Sequence, residues 1–263
     1  MIIKGLDELR ERLSAFQKRR FCLAMSGHRN VMPSAMEAVK RGTWEALELL
    51  RKTMGEPLCV LCGLAVGADR LVAEAVLRNR EMAERSEPAE TSDSRDVLVA
   101  VLPMPRAIYE EDFEQDEVVE FARLAEQADA VFELELEPEG QQWLEAHPGE
   151  RLPSELRMLQ YELLGEVLVR VGDGLLVLWD GIPVKCDADG RTAFWERGGT
   201  ADVVRKFLEL RSLRVPKEQP PRVVHVAVPR TKKRQVRFAA GLEAGEIREL
   251  MLDAQNPPMG EIS

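Results

Sequence analysis

The stretch LCVLCGLAVGADRLVAEAV, residues 58–76, runs from an unbroken apolar segment through a loop with two glycines into an amphipathic helix pattern. Its first part has no polar alternation, which is typical of a parallel strand covered on both faces. Similar apolar runs next to helical patterns occur at residues 21–28, 96–103, 130–136, 174–181 and 222–229. The sequence therefore predicts an α/β fold, a Rossmann-like, doubly wound and mostly parallel sheet with helices on both faces.

The charge of the chain restricts its partners. It has 263 residues, of which 45% are hydrophobic and 31% charged, and a formal net charge of −10. Because an acidic chain repels phosphate backbones and anionic membranes, we expect no nucleic acid and no membrane as the main partner. Screening confines charge effects to roughly 10 Å, so a local basic site can still bind a small anion.

The cysteines do not indicate a metal site. Cys59 and Cys62 form a C-x-x-C within an apolar strand. Side chains three positions apart on a strand point to opposite faces, so these two thiols cannot share a metal ion. We expect buried, reduced cysteines and no metal. The chain shows neither a signal-peptide pattern nor an apolar run of the ~20 residues that span a membrane, which predicts a cytoplasmic location.

The sequence divides into three parts. Residues 1–19 form an amphipathic helical extension, residues 20–229 form the α/β domain, and residues 230–263 read as a flexible tail or linker. The tail begins with the basic run TKKRQVR, which is either a solvated segment or a contact for an effector partner.

In open α/β sheets, ligands bind beyond the carboxyl ends of the strands. Glycine or proline turns and polar side chains follow four of the predicted strands. The candidate binding residues are Ser26, Gly27, His28 and Arg29; Gly63, Gly67, Asp69 and Arg70; Pro103, Arg106 and Tyr109; Asp180 and Gly181; and Gly198, Gly199 and Thr200.

The stretch ERGGTADVV, residues 196–204, suggests a phosphate site. A helix amino terminus offers unpaired N–H groups and about half a positive charge, and glycines let a phosphate approach the backbone. Gly198, Gly199 and Thr200 fit this role, while Arg29 and Arg106 supply cations. The alternative is a plain glycine turn before a helix capped by Thr200.

The remaining polar candidates also have two interpretations. Asp69 and Asp180 can accept hydrogen bonds from ribose hydroxyls, although Asp69 is also a plausible helix N-cap. Arg70 is either a ligand contact or one half of a surface ion pair. His28 is either a ligand contact or a histidine satisfied within its own turn.

Taken in order, the segments SGHR, GLAVGADRLVAEA, VLPMPRAIYEEDF, LLVLWDG and GGTADVV resemble the SLOG superfamily. This Rossmann-like group includes the LOG/lysine-decarboxylase-like proteins, the DprA domain, and the nucleotide-sensing domains of TRPM channels and bacterial antiviral systems. The resemblance covers roughly residues 20–230. It implies a site for a nucleotide-derived ligand such as an ADP-ribose-like molecule, with Gly198, Gly199 and Thr200 against phosphate and no required cofactor. It also implies self-association through helices, so a homo-oligomer is expected.

Two features depart from the hydrolytic LOG enzymes, which carry the motif PGGxGTxxE. Val203 stands where the glutamate is expected, and Asp202 lies one residue away, which turns a helical side chain by about 100°. We therefore predict binding or sensing of an ADP-ribose-like or cyclic nucleotide signal. The alternative is a nucleotide phosphoribohydrolase in which Asp69, Asp180 or Asp202 replaces the glutamate. A protein-interaction domain that has only kept the fold is a further alternative.

The second departure is the loop at residues 182–197, which is longer than the resemblance implies. Its segment PVKCDADGRTAFW predicts a small hairpin around Asp189 and Gly190. In that hairpin Trp195 either stacks on a base or packs against the sheet.

Overall fold

The fold is built around one large β-sheet. The computed structural model describes residues 1–86, 95–182, 185–186, 192–194, 199–212, 222–232 and 235–250. The strands are β1 (Ile2–Ile3), β2 (Phe21–Gly27), β3 (Leu58–Cys62), β4 (Val97–Leu102), β5 (Ala130–Leu134), β6 (Gly174–Trp179), β7 (Lys185–Cys186), β8 (Thr192–Phe194), β9 (Arg222–Ala227), β10 (Arg230–Lys232), β11 (Gln235–Arg237) and β12 (Ile247–Leu250). The helices are α1 (Leu6–Gln17), α2 (Met36–Met54), α3 (Ala68–Ser86), α4 (Arg106–Glu110), α5 (Gln115–Gln127), α6 (Pro138–Ala146), α7 (Ser154–Val171) and α8 (Thr200–Ser212).

The large sheet has eight strands in the order β1-β5-β4-β3-β2-β6-β9-β12. Every neighbouring pair is parallel except β12 with β9, which is antiparallel. The predicted mostly parallel α/β sheet is confirmed. From β2 the chain adds β3, β4 and β5 in one direction, and β6 then pairs with the other side of β2. The strand order therefore reverses between β2 and β6.

Two hydrophobic cores cover the faces of the sheet, and the strands β2, β3, β4, β6 and β9 contribute to both. In β3, Val60 and Cys62 face the core that contains buried side chains of α2, α3 and α5. Cys59 and Leu61 face the core that contains side chains of α1, α7 and α8. Alternate side chains of a strand point to opposite faces, so a continuous apolar run fills both cores. The Cys59 and Cys62 side chains lie on opposite faces, as predicted.

The helix boundaries follow local signals. Helix α2 ends at Gly55, which has a φ of 68° and donates its N–H to the Arg51 carbonyl at 2.9 Å. A left-handed glycine is a common way to end a helix. Helix α5 begins with a capping box in which Glu114 and Glu117 bind each other's backbone N–H groups. None of the helices in the described ranges is both long and apolar enough to cross a membrane.

The amino-terminal segment belongs to the domain. Strand β1 pairs in parallel with β5, and α1 buries Leu9 and Leu13 completely in the sheet core. The sequence predicts only a helical extension over residues 1–19, because a two-residue strand such as Ile2–Ile3 has no detectable periodicity. Pairing with β5 is a non-local contact that the local pattern does not encode.

The segment after residue 229 differs from the predicted flexible tail, because residues 230–250 contain three strands. Strands β10 and β11 form an antiparallel hairpin, and β12 pairs with the sheet edge at β9. A Cβ placed on Gly42 of α2 would lie 2.1 Å from the Gly245 carbonyl oxygen, so the turn before β12 packs directly on α2. The polar composition of this segment hid the contact, since edge strands bury only part of their surface.

The hairpin predicted within residues 182–197 is present as the antiparallel pair β7–β8. Asp189, Gly190 and Trp195 lie outside the described residues.

Candidate functional site

A cleft of about 430 Å³ lies at the carboxyl ends of β2 and β6, where the strand order reverses. Its lining includes Ser26 and Gly27 at the end of β2 and Trp179 at the end of β6. The α7 side chains Tyr161 and Leu164 close one side. Ligand pockets typically measure 300–1,000 Å³, and ligands of open α/β sheets bind at such reversals. The cleft is therefore the candidate site.

Close backbone packing fixes the loop after β2. Gly67, just before α3, has a φ of 87°, and a Cβ placed there would lie 2.2 Å from the Arg29 carbonyl oxygen. The Ala68 N–H donates to the His28 carbonyl at 3.0 Å. A Cβ placed on Gly27 would lie 2.4 Å from the Ala68 Cβ. Small residues at these positions let the amino end of α3 hold His28 and Arg29 at the cleft.

One polar cluster at the cleft centres on Asp180, whose side chain is fully buried. Its Oδ2 accepts the Nε–H of Arg230 at 2.6 Å, and its Oδ1 accepts the N–H of Ile182 at 3.1 Å. The His28 Nε2 lies 3.3 Å from Oδ1, and the Arg237 Nε lies 4.0 Å from Oδ2. Asp180 is therefore the anchor that holds the β10–β11 hairpin and its two arginines against the cleft.

The electrostatics of this cluster favour an ionised aspartate and a neutral histidine. Burial acts to raise the pKa of Asp180, but His28, Arg230 and the Ile182 N–H outweigh it and lower the pKa below its ordinary value. Burial lowers the pKa of the His28 imidazole, and Arg230 and Arg237 lower it further against the opposing effect of Asp180. His28 Nε2 is buried and lacks a hydrogen-bond partner of suitable geometry among the described residues. This nitrogen faces Asp180 Oδ1 inside the cluster.

A second polar cluster surrounds Asp69 at the amino end of α3. Asp69 Oδ2 accepts the Ala65 N–H at 3.2 Å. Burial raises the pKa of Asp69 to about 6, against the lowering effects of the Ala65 N–H and Arg29. Arg29 donates from Nη2 to the Tyr161 hydroxyl at 2.9 Å, and Tyr161 in turn donates to Asp112. This end of the cleft therefore holds a carboxyl group that titrates near neutral pH.

The amino terminus of α8 forms part of the cleft wall. Gly199 and Thr200 line it, and the Gly199 carbonyl accepts the Val203 N–H at 3.1 Å in the first helical turn. Val203 also lines the cleft. Asp202 is not among the lining residues, and its carboxylate pairs with Arg205 at 2.7 Å and Lys206 at 3.0 Å. The carboxylate nearest in sequence to the expected glutamate is thus engaged elsewhere.

The structure brings many of the predicted residues together. Those that line the cleft are Ser26, Gly27, His28, Arg29, Asp69, Tyr109, Gly199 and Thr200. Asp180 lies directly behind His28, Gly67 supports the loop below Arg29, and a Cβ on Gly63 would lie 3.0 Å from Asp69 Oδ2. Gly198 lies outside the described residues.

Four other predicted residues do not line the cleft. Arg70 is buried, where it pairs with Glu120 at 2.5 Å and lies over the Phe113 ring. The Arg106 guanidinium pairs with Glu110 at 2.6 Å. The carbonyl of Pro103 accepts a hydrogen bond from Gln160. Gly181 lies so close to Leu242 and Ala239 that a Cβ added to it would contact both side chains. These residues support the fold around the site.

The sequence patterns did not predict several cleft residues, among them Tyr161, Arg230 and Arg237. Tyr161 is the one aromatic residue of helix α7. Arg230 directly precedes the basic run TKKRQVR of the predicted tail, and Arg237 is the last residue of that run. Only their charge in an acidic chain signalled a role, and no local pattern indicated that they would meet Asp180.

No protein-family model and no curated protein matches the chain. Among solved structures, the chain is similar to an NAD+ synthetase from Burkholderia pseudomallei, with 18% sequence identity. The alignment covers 82% of this chain and 77% of that one at a TM-score of 0.29, which is too low to support an argument. The fold assignment therefore rests on the observed strand order and pairing, and this fold and its cleft are compatible with nucleotide binding.

Proposed function

We propose that the cleft binds a nucleotide-derived anion, an ADP-ribose-like molecule or a cyclic nucleotide, and that the protein senses this ligand. The observation that carries the proposal is the convergence of three arginines, the amino end of α8 and the His28 side chain where the strand order reverses. The SLOG resemblance favours the same ligand class.

The charge distribution supports an anionic ligand. Among the described residues, Arg29, Arg230 and Arg237 line the cleft together with one carboxylate, Asp69, although the whole chain carries a formal net charge of −10. Arginine and helix amino termini are the groups that proteins use to bind phosphate. A cationic cleft in an acidic protein concentrates small anions while long polyanions are repelled.

The position of the hairpin supports a sensing role. Arg230 and Arg237 reach the cleft from β10 and β11, and the same segment continues into β12 at the sheet edge. A ligand phosphate that binds these arginines competes with Asp180 for them, so occupancy is transmitted to the carboxy-terminal segment. We expect ligand binding to change either the oligomeric state of the protein or its binding of an effector through residues beyond β12.

Replacing Arg237 with alanine is expected to weaken binding of the preferred nucleotide about 10- to 100-fold. A hydrogen bond to a charged group contributes about 1.5–3 kcal/mol, and Arg237 is less tightly held by Asp180 than Arg230 is. The measurement is isothermal titration calorimetry with ADP-ribose, NAD, AMP and cyclic AMP.

Arg248→Ala is the matched control, because Arg248 lies on β12, where it pairs with Glu246, and is not a cleft residue. It should leave every affinity unchanged. If no nucleotide of the panel binds the wild-type protein more tightly than about 1 mM, the sensing proposal fails.

A second candidate function is hydrolysis of an N-glycosidic bond, and the raised pKa of Asp69 favours it. A carboxyl group with a pKa of about 6 can exchange protons with water or with a leaving base near neutral pH. Asp180 is fully buried and paired with Arg230, and Asp202 is paired with Arg205 and Lys206. Chromatography after incubation with nucleoside monophosphates should then show free base from wild-type protein and none from Asp69→Asn. Absence of free base from the wild type across the panel removes this candidate.

A further inference from the structure

Asp69 is a carboxyl group placed at the cleft without an ion-pair partner in the described part of the chain. The two arginines whose charges lower its pKa have other partners, since Arg29 donates to Tyr161 and Arg70 pairs with Glu120. Its carboxyl group accepts hydrogen bonds from two backbone N–H groups, those of Ala65 and Gly63. A carboxylate in this position would face a bound phosphate as a like charge.

The other groups around Asp69 do not titrate near neutral pH. Burial holds the pKa of Cys62, from β3, and that of Tyr109, from α4, well above their ordinary values. Tyr161, from α7, has its pKa raised by burial to about 12. The Arg29 guanidinium, whose pKa is raised, stays charged in this range. A titration between pH 6 and pH 8.5 at this end of the cleft therefore belongs to Asp69.

We propose that Asp69 binds the ligand as a neutral carboxylic acid, donating its proton to an oxygen of the ligand's phosphate, so that binding takes up one proton. This inference rests on the proposed nucleotide-binding function and adds the protonation state in which the site works. As a neutral acid, Asp69 selects a ligand atom that accepts a hydrogen bond, whereas an ionised carboxylate at the same place would select a ligand hydroxyl or amino group that donates one.

A fraction of the free protein is already in this state. Burial raises the pKa of Asp69 to about 6 in the absence of ligand, so part of the population is neutral near pH 7. A phosphate next to the carboxyl group disfavours its ionised form and raises its pKa further. Between the free and the bound pKa, the apparent Kd rises about tenfold for each pH unit, because fewer molecules carry the required proton.

The test is calorimetry with ADP-ribose and with cyclic AMP, whose phosphates neither gain nor lose a proton between pH 6.5 and pH 8.5. Titrations at pH 7 in two buffers of different ionisation enthalpy should show uptake of close to one proton per ligand. The Kd should rise about tenfold between pH 7 and pH 8. His28 does not interfere, because burial lowers its pKa and keeps it neutral in this window.

Asp69→Asn mimics the neutral acid, since its amide oxygen can accept the Ala65 N–H and its NH₂ group can donate to the ligand. Its Kd should be independent of pH and, at pH 8, about 100-fold lower than that of the wild type. Glu74→Gln, on the same helix but paired with Arg123 outside the cleft, should keep the wild-type pH dependence.

Three results would overturn the inference. Binding without proton uptake overturns it and leaves the proposed function intact. Weaker binding by Asp69→Asn at pH 8, with wild-type affinity falling at low pH, shows that Asp69 accepts hydrogen bonds as a carboxylate. No binding of either probe at any pH removes the inference together with the sensing function for these ligands.

Discussion

Gly67→Ala is expected to lower the free energy of unfolding by about 4 kcal/mol, which would leave a typical domain only marginally stable. Gly67 has a φ of 87°, a conformation that costs an alanine roughly 1–2 kcal/mol. The added Cβ would also lie 2.2 Å from the Arg29 carbonyl oxygen and 2.7 Å from that of His28. Both neighbours are backbone atoms, so the loop after β2 must move. Urea denaturation followed by circular dichroism measures the loss.

Gly55→Ala separates the cost of the left-handed conformation from the cost of the contact with backbone atoms. Gly55 also has a positive φ, 68°, but a Cβ placed there meets no atom within 4 Å. This variant should lose only about 1 kcal/mol, the cost of the left-handed conformation alone. Equal losses for the two variants would contradict the close packing of Gly67 on the cleft loop. At temperatures where Gly67→Ala remains folded, its nucleotide binding should still be lost, because Arg29 and His28 are displaced.

Asp180→Ala is expected to cost about 3–5 kcal/mol at pH 7, because it leaves the positive charge of Arg230 without its partner. The carboxylate is fully buried, and the Arg230 side chain is only 16% exposed. The variant also loses the hydrogen bond from the Ile182 N–H. Hydrogen exchange should become faster in residues 230–232 and 235–237, since Asp180 anchors this hairpin. Asp180→Asn, which keeps the shape and one acceptor, should lose less.

The pH dependence of this effect has a definite sign. The pKa of Asp180 is lowered in the folded protein, so its stabilising contribution is fully present above the ordinary carboxyl value of about 4. That contribution is lost as the pH falls through the lower, folded value. The stability difference between wild type and Asp180→Ala should therefore be constant from pH 5 to pH 8 and shrink below pH 4. A difference that grew on acidification would contradict an ionised Asp180.

The local sequence patterns of this chain predicted the sheet and helix layers of the fold well. Continuous apolar runs such as residues 58–62 predicted strands covered on both faces, and the two cores confirm this. Arg70 shows the limit of such reasoning. It follows Asp69 directly, yet it turns away from the cleft to pair with Glu120, 50 residues later. A helix changes direction by about 100° per residue, so neighbours in sequence can serve different surfaces.

The sequence by itself determined the elements, the parallel sheet and the glycines that bring backbones together at the strand ends, because these depend on burial periodicity and local conformation. Only the tertiary structure decided which charges meet. Arg230 reaches Asp180 across 50 residues, and the strand order reverses at β2 and β6. Such contacts depend on the pairing of distant strands, and an arginine in a short edge hairpin has the same local pattern whether it faces solvent or a buried carboxylate.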